Sequence, residues 1–107
     1  MDRAFTPSHR GGAGTPMVLL HGFTDTWRTW ELVLPALEAR HDVLAPTLVG
    51  HLGGPPMPAG FDGDTAADLI EEAMDAAGFA TAHLVGNSLG GYLALQLASR
   101  GRARSVV

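Results

Sequence analysis

Residues 82–100, AHLVGNSLGGYLALQLASR, restrict the fold more than any other part of this chain. A short apolar run, Ala82 to Gly86, leads into Gly86-Asn87-Ser88-Leu89-Gly90. From Leu89 to Arg100 the residues are apolar nearly all round, with small side chains at Gly90, Gly91, Ala94 and Ala98. The first piece reads as a buried strand and the second as a helix packed on a sheet. The join is then one tight turn, in which Ser88 is strained and the residues two before and two after it must lack a side chain.

The remaining pattern continues the alternation. Met17 to Leu20 is a short apolar strand that runs into His21-Gly22-Phe23. Trp27, Trp30, Leu34 and Leu37 recur at helical spacing after the candidate caps Asp25 and Thr26, and Pro35 breaks that helix or starts a second one. Asp42 to Pro46 is another short apolar segment, followed by a Gly/Pro-rich loop over 50–63. Ala66, Leu69, Ile70, Ala73, Met74 and Ala77 form one stripe of a helix whose other face carries Asp68, Glu71, Glu72 and Asp75. Thr65 and Asp68 have the spacing of a capping box, and Gly78 is a stop. Ser105 to Val107 begins a further strand, and residues 1–16 read as a tail or edge segment. The expected architecture is α/β, a parallel sheet with flanking helices in one domain over 1–107, with function at the carboxyl ends of the strands.

Composition narrows the function classes. The chain has 107 residues, 46% hydrophobic and 17% charged, with 14 Gly and 7 Pro, which excludes a disordered, collagen-like or coiled-coil chain. The lack of cysteine removes disulfides, thiol catalysis and Cys-containing zinc sites, and fits a reducing, cytoplasmic setting. A net charge of -4, with only Arg100, Arg102 and Arg104 clustered, argues against nucleic acid. No apolar run approaches the ~18 residues of a membrane span.

Ser88 is the candidate nucleophile. The helix after it aims its N–H groups and positive dipole end at the place where an oxyanion would develop. A phosphate loop is the main rival, since Gly86 and Gly91 have the G-x-x-x-x-G spacing, but Tyr92 stands where that motif needs Lys. Serine needs a base oriented by a third group, and no Asp, Glu or His follows Ser88. His83 is ~16 Å back along its strand and on the opposite face. His41 precedes a strand, His51 sits in the loop and His9 in the tail, so each is expected to be solvated or anchoring. No two histidines have metal-ligand spacing. Asp25 is read as a helix cap, Trp27, Trp30 and Tyr92 as core, and Met57 and Phe61 as the border of an entrance.

Leu20-His21-Gly22-Phe23 and Leu84-Val85-Gly86-Asn87-Ser88-Leu89-Gly90-Gly91 together resemble the oxyanion loop and nucleophile elbow of the α/β-hydrolase family, and Ala45-Pro46 and Gly50-His51 resemble the strand and loop between them. The resemblance covers nearly everything from Met17 onward and is to the amino-terminal portion of that fold. It implies Ser88 as nucleophile and the backbone N–H groups of Leu89 and Phe23 as oxyanion hole, with His21, Gly22, Gly86 and Gly90 supporting the motifs and no cofactor. Serine at 88 argues against the dehalogenase and epoxide-hydrolase branches, which use a carboxylate there. Thr47 departs from the acid that many relatives carry after the proline. In this family the acid and then the histidine come after the nucleophile, so both are expected beyond residue 107. The chain alone is then expected to be inactive and prone to associate through an exposed sheet edge.

The implied reaction is hydrolysis of a small ester-type substrate through an acyl-Ser88 intermediate. The alternatives are a ligand-binding domain that has lost turnover, and a C–C hydrolase or cofactor-free oxidase on the same scaffold.

Overall fold

The computed structural model describes residues 8–60 and 62–107, so the expectations placed on residues 1–7 and on Phe61 fall outside it. Among the described residues five strands form one sheet: β1 (Ser8–Gly11), β2 (Thr15–Leu20), β3 (His41–Pro46), β4 (Ala82–Gly86) and β5 (Ala103–Val106). Their order is β1-β3-β2-β4-β5. All neighbours run parallel except β1, which lies antiparallel on β3 with Ser8 opposite Pro46 and Gly11 opposite Val43.

Part of the segment read as a tail or edge is therefore strand. Side chains hold β1 from outside its ladder: Arg10 makes two hydrogen bonds to Asp42, at 2.9 and 2.8 Å, and His9 Nε2 lies 2.6 Å from Glu38. The His9 ring also stacks on Trp27, so His9 is an anchor here.

Alternation along β2 separates two cores. Val18 and Leu20 face one side, where they meet Ile70 and Met74 of α2 (Gly63–Ala76) and Leu93, Ala94 and Leu97 of α3 (Leu89–Ser99). Met17 and Leu19 face the other, against Trp27 and Leu34. On that second side the expected Trp27 helix is two pieces, a 3-10 turn over Trp27–Trp30 and α1 (Leu34–Glu38), with Pro35 in the first turn of α1 where its missing N–H costs nothing. Thr26, not Asp25, caps the first piece, accepting from the N–H of Arg28.

The cap of α2 also differs from the spacing argument. Asp62, rather than Thr65, is the N-cap: its carboxylate accepts from the N–H groups of Asp64 and Thr65, and the Thr65 hydroxyl accepts from the Asp62 N–H. These bonds, the Asp64 N–H foremost, hold the Asp62 carboxyl below its usual range. The outer face of α2 is tied to the chain after α3. Arg100 contacts Asp64, Asp68 and Glu71, and Arg102 contacts Glu71 and Asp75. Arg100 and Arg102, two of the three clustered arginines, are thus engaged by carboxylates of α2.

Candidate active site

From β2 the chain moves one way in the sheet to β3, then returns past β2 to β4. The carboxyl ends of β2 and β4 consequently flank the point where the winding reverses, which is where an open α/β sheet leaves a crevice. His21-Gly22-Phe23 leaves one of these ends and Gly86-Asn87-Ser88 the other. They are stitched together by the Asn87 N–H, which donates to the Leu20 carbonyl at 3.1 Å.

Ser88 joins β4 to α3 with φ 54° and ψ -115°, a conformation that favours glycine. It is exposed, and its hydroxyl has no hydrogen-bond partner among the described residues. The glycines on either side are required by close approach: a Cβ on Gly86 would run into the Gly90 carbonyl, and one on Gly90 into the Leu20 carbonyl. At Gly91 the nearest atom would be an ordinary 3.5 Å away.

Across the crevice, a Cβ on Gly22 would lie 3.6 Å from the Ser88 Cβ, so the loop after β2 passes directly over the elbow. Gly22 to Asp25 form a turn closed by the Asp25 N–H on the Gly22 carbonyl at 3.2 Å, with Thr24 at φ 70°. Among the described residues, the N–H groups of Phe23 and Leu89 have no protein acceptor.

His21 is fully buried beneath this loop. Its Nδ1 lies 2.7 Å from the Gly22 carbonyl, which only accepts, so Nδ1 carries the proton. Its Nε2 accepts from the Leu48 N–H at 2.9 Å. Both nitrogens are therefore committed, and burial pushes the imidazole pKa down. His21 is held neutral and has no free nitrogen for a proton from Ser88. Its proton fixes the Gly22 carbonyl, and with it the direction of the Phe23 N–H on the same rigid peptide.

The other histidines lie apart from Ser88 or serve elsewhere. His83 Nδ1 is 2.7 Å from the Ser105 hydroxyl, and its ring meets that of His41 edge to face. Asp25 is exposed at the end of the turn. His51, in contrast, lies against the site, with its ring edge to face with both His21 and Phe23. Beside it a cavity of about 260 Å³ is lined by Phe23, Leu48, Val49, His51, Met57, Ala66, Leu89 and Leu93. Among the described residues no group of three or more His, Asp or Glu could hold a metal ion. No helix among them is long and apolar enough to cross a membrane.

A strained serine between strand and helix, facing a glycine loop from the neighbouring strand, defines the class, and the chain belongs to the alpha/beta hydrolase fold family, whose sequence model matches residues 15–107. Among curated proteins it is 37% identical over 99 residues to the 2-hydroxymuconate semialdehyde hydrolase of Pseudomonas sp. (strain CF600), covering 89% of this chain and 35% of that protein. It is 39% identical over 88 residues to the soluble epoxide hydrolase of Corynebacterium sp. (strain C12), covering 81% and 30%. Among solved structures, a meta-cleavage product hydrolase from Pseudomonas fluorescens IP01 superposes with a TM-score of 0.83 at 34% identity, covering 92% of this chain and 39% of that one. The chain thus spans about a third of the length of the curated relatives it matches.

Proposed function

We propose that this chain is the nucleophile-bearing part of a serine hydrolase that cleaves its substrate by acyl transfer to Ser88. The observation that carries this reading is the backbone of Ser88, φ 54° and ψ -115°, at the first turn of α3 and under the Gly22 loop. Such strain persists where the surrounding structure enforces it and serves to present a side chain. Oγ attacks the substrate carbonyl and gives up its proton to a base, while the N–H groups of Leu89 and Phe23 take the developing oxyanion, each donor contributing about 3 kcal/mol. Collapse expels the leaving group with a proton, and water then releases the acid from the acyl-serine. The base and its orienting acid come from sequence following Val107 in this reading, so the 107 residues alone turn over slowly or not at all. A cytoplasmic location fits the cysteine-free composition.

The likeness to hydrolases of 2-hydroxymuconate semialdehyde and of meta-cleavage products favours a second substrate class on the same site. There the bond broken joins the attacked carbonyl carbon to another carbon. The likeness to an epoxide hydrolase is taken to carry the fold rather than the reaction, because position 88 holds serine in place of a carboxylate.

The test is made on the full-length gene product. A fluorophosphonate should label the wild type and not Ser88→Ala, and the substitution should abolish cleavage of simple esters and of a 2-hydroxymuconate semialdehyde alike. Cleavage that survives Ser88→Ala removes Ser88 from its role, and the faster of the two substrates decides between ester and C–C chemistry.

A further inference from the structure

The acyl-transfer reading so far gives no role to the cavity beside the elbow. Its inner wall belongs to the layer between the sheet and the helices, where Leu48, Val49, Ala66 and Leu93 are all buried. Its outer wall includes Phe23 and Met57, which are exposed. Met57 lies across Gly50, where a Cβ would meet its methyl group at 2.7 Å. Phe23 and Leu89, whose amides are assigned to the oxyanion, also border the space. The cavity therefore begins where the substrate carbonyl is held.

Among the described residues the wall exposes no polar surface. His51 is no exception, because its Nδ1 lies 3.1 Å from the Val49 carbonyl and its Nε2 is buried, so the ring offers the space only carbon. This decides which side of the substrate carbonyl fits there. A leaving group must take up a proton as its bond breaks, and nothing on this wall donates one. A polar substituent would give up its water and find no replacement partner. The group that stays on the serine needs no proton, and a hydrocarbon needs no partner.

We infer that the cavity holds the acyl part of the substrate, that this part is an unsubstituted hydrocarbon chain, and that Ala66 of α2 limits its length. This rests on the acyl-transfer reading of Ser88 and names the substrate class for it. A space of about 260 Å³ takes roughly eight atoms of water size, which is a chain of medium length. Ala66 has the smallest side chain on the wall and is buried, so any larger residue there shortens the space from its inner end.

The test uses the full-length gene product and two ester series. In one, the acyl chain of a p-nitrophenyl ester lengthens from acetyl to hexadecanoyl. In the other, the acyl group stays acetyl and the alcohol lengthens from ethanol to decanol. In the acyl series kcat/KM should climb about threefold per methylene up to a chain of about eight carbons and then fall. A terminal hydroxyl on that chain should cost about tenfold. Ala66→Leu should move the optimum about three carbons shorter, the number by which leucine exceeds alanine, with the acetyl ester held within about threefold. Met57→Ala changes only the exposed outer wall and should move the optimum to longer chains, which decides the matter if Ala66→Leu does not fold. An optimum unmoved by the variants overturns the inference, as does a shift in the alcohol series in place of the acyl series. Equal rates for the hydroxylated and plain chains also overturn it. A wild type that a fluorophosphonate labels but that cleaves none of the esters overturns the inference alone. Cleavage that persists in Ser88→Ala overturns instead the reading of Ser88 on which it rests.

Discussion

His21 Nε2 accepts the backbone N–H of Leu48 at 2.9 Å, and this bond ties the loop over Ser88 to the wall of the neighbouring cavity. Because Leu48 donates, the bond exists only while Nε2 is unprotonated. The folded chain binds fewer protons at His21 than the unfolded chain does. The stabilisation is therefore complete above the ordinary imidazole value of 6.5 and is lost as the pH falls through the depressed folded value. Urea midpoints measured from about pH 8 down to pH 5 should fall, and His21→Gln should flatten that part of the curve.

Ser88 should show a trade of stability against reaction. Ser88→Gly relieves the positive φ and should stabilise the fold by about 1 kcal/mol, whereas Ser88→Ala keeps the strained backbone and should leave stability almost unchanged. Both should abolish labelling. Chemical denaturation of the three proteins checks the order.

The two adjacent glycines at the start of α3 should behave oppositely. Gly90→Ala drives a methyl into the Leu20 carbonyl and should cost about 3 kcal/mol or prevent folding. Gly91→Ala meets only ordinary contacts and should be neutral or stabilise by up to about 1 kcal/mol through helix propensity. Thermal melts of the pair decide it.

Glu71 receives both Arg100, at 2.6 Å, and Arg102, at 2.8 Å, in a partly buried position. Asp64 is far more exposed and 3.5 Å from Arg100. Glu71→Gln should lower the melting temperature clearly more than Asp64→Asn. High salt should lower the melting temperature of the wild type while narrowing its gap to Glu71→Gln only in part, because the pair is shielded.

The free side of β5, with Val106 39% and Val107 77% exposed, should make the 107-residue chain self-associate. Sedimentation should show concentration-dependent oligomers, reduced by Val106→Lys. A monomer at all concentrations would rule this edge out as the contact.

Strands and helices whose apolar residues are contiguous in sequence were legible: β4 matches residue for residue, and α3 ends one residue before the sequence reading placed it. Pieces held by partners distant in sequence were not. β1 is short and polar, and it is a strand only because β3, Glu38 and Asp42 receive it. The α2 cap was misplaced because Asp62 and Thr65 satisfy the same three-residue spacing as Thr65 and Asp68, and only backbone geometry separates them. Ser88, Gly86 and Gly90 stand out because one local turn demands them. His51 carried no such signal, since its place beside the site comes from ring contacts with His21 and Phe23 that exist only once the loops after β2 and β3 have met.

The acidic side of α2 finds its counter-charges 27 to 36 residues later in the chain, at Arg100 and Arg102. As the polypeptide leaves the ribosome, that helix emerges amino end first with its carboxylates repelling one another. The attractions that lock it onto the sheet do not exist until the elbow and the helix behind it have been synthesised. The piece bearing the reactive serine must therefore be made before its neighbour is finally seated.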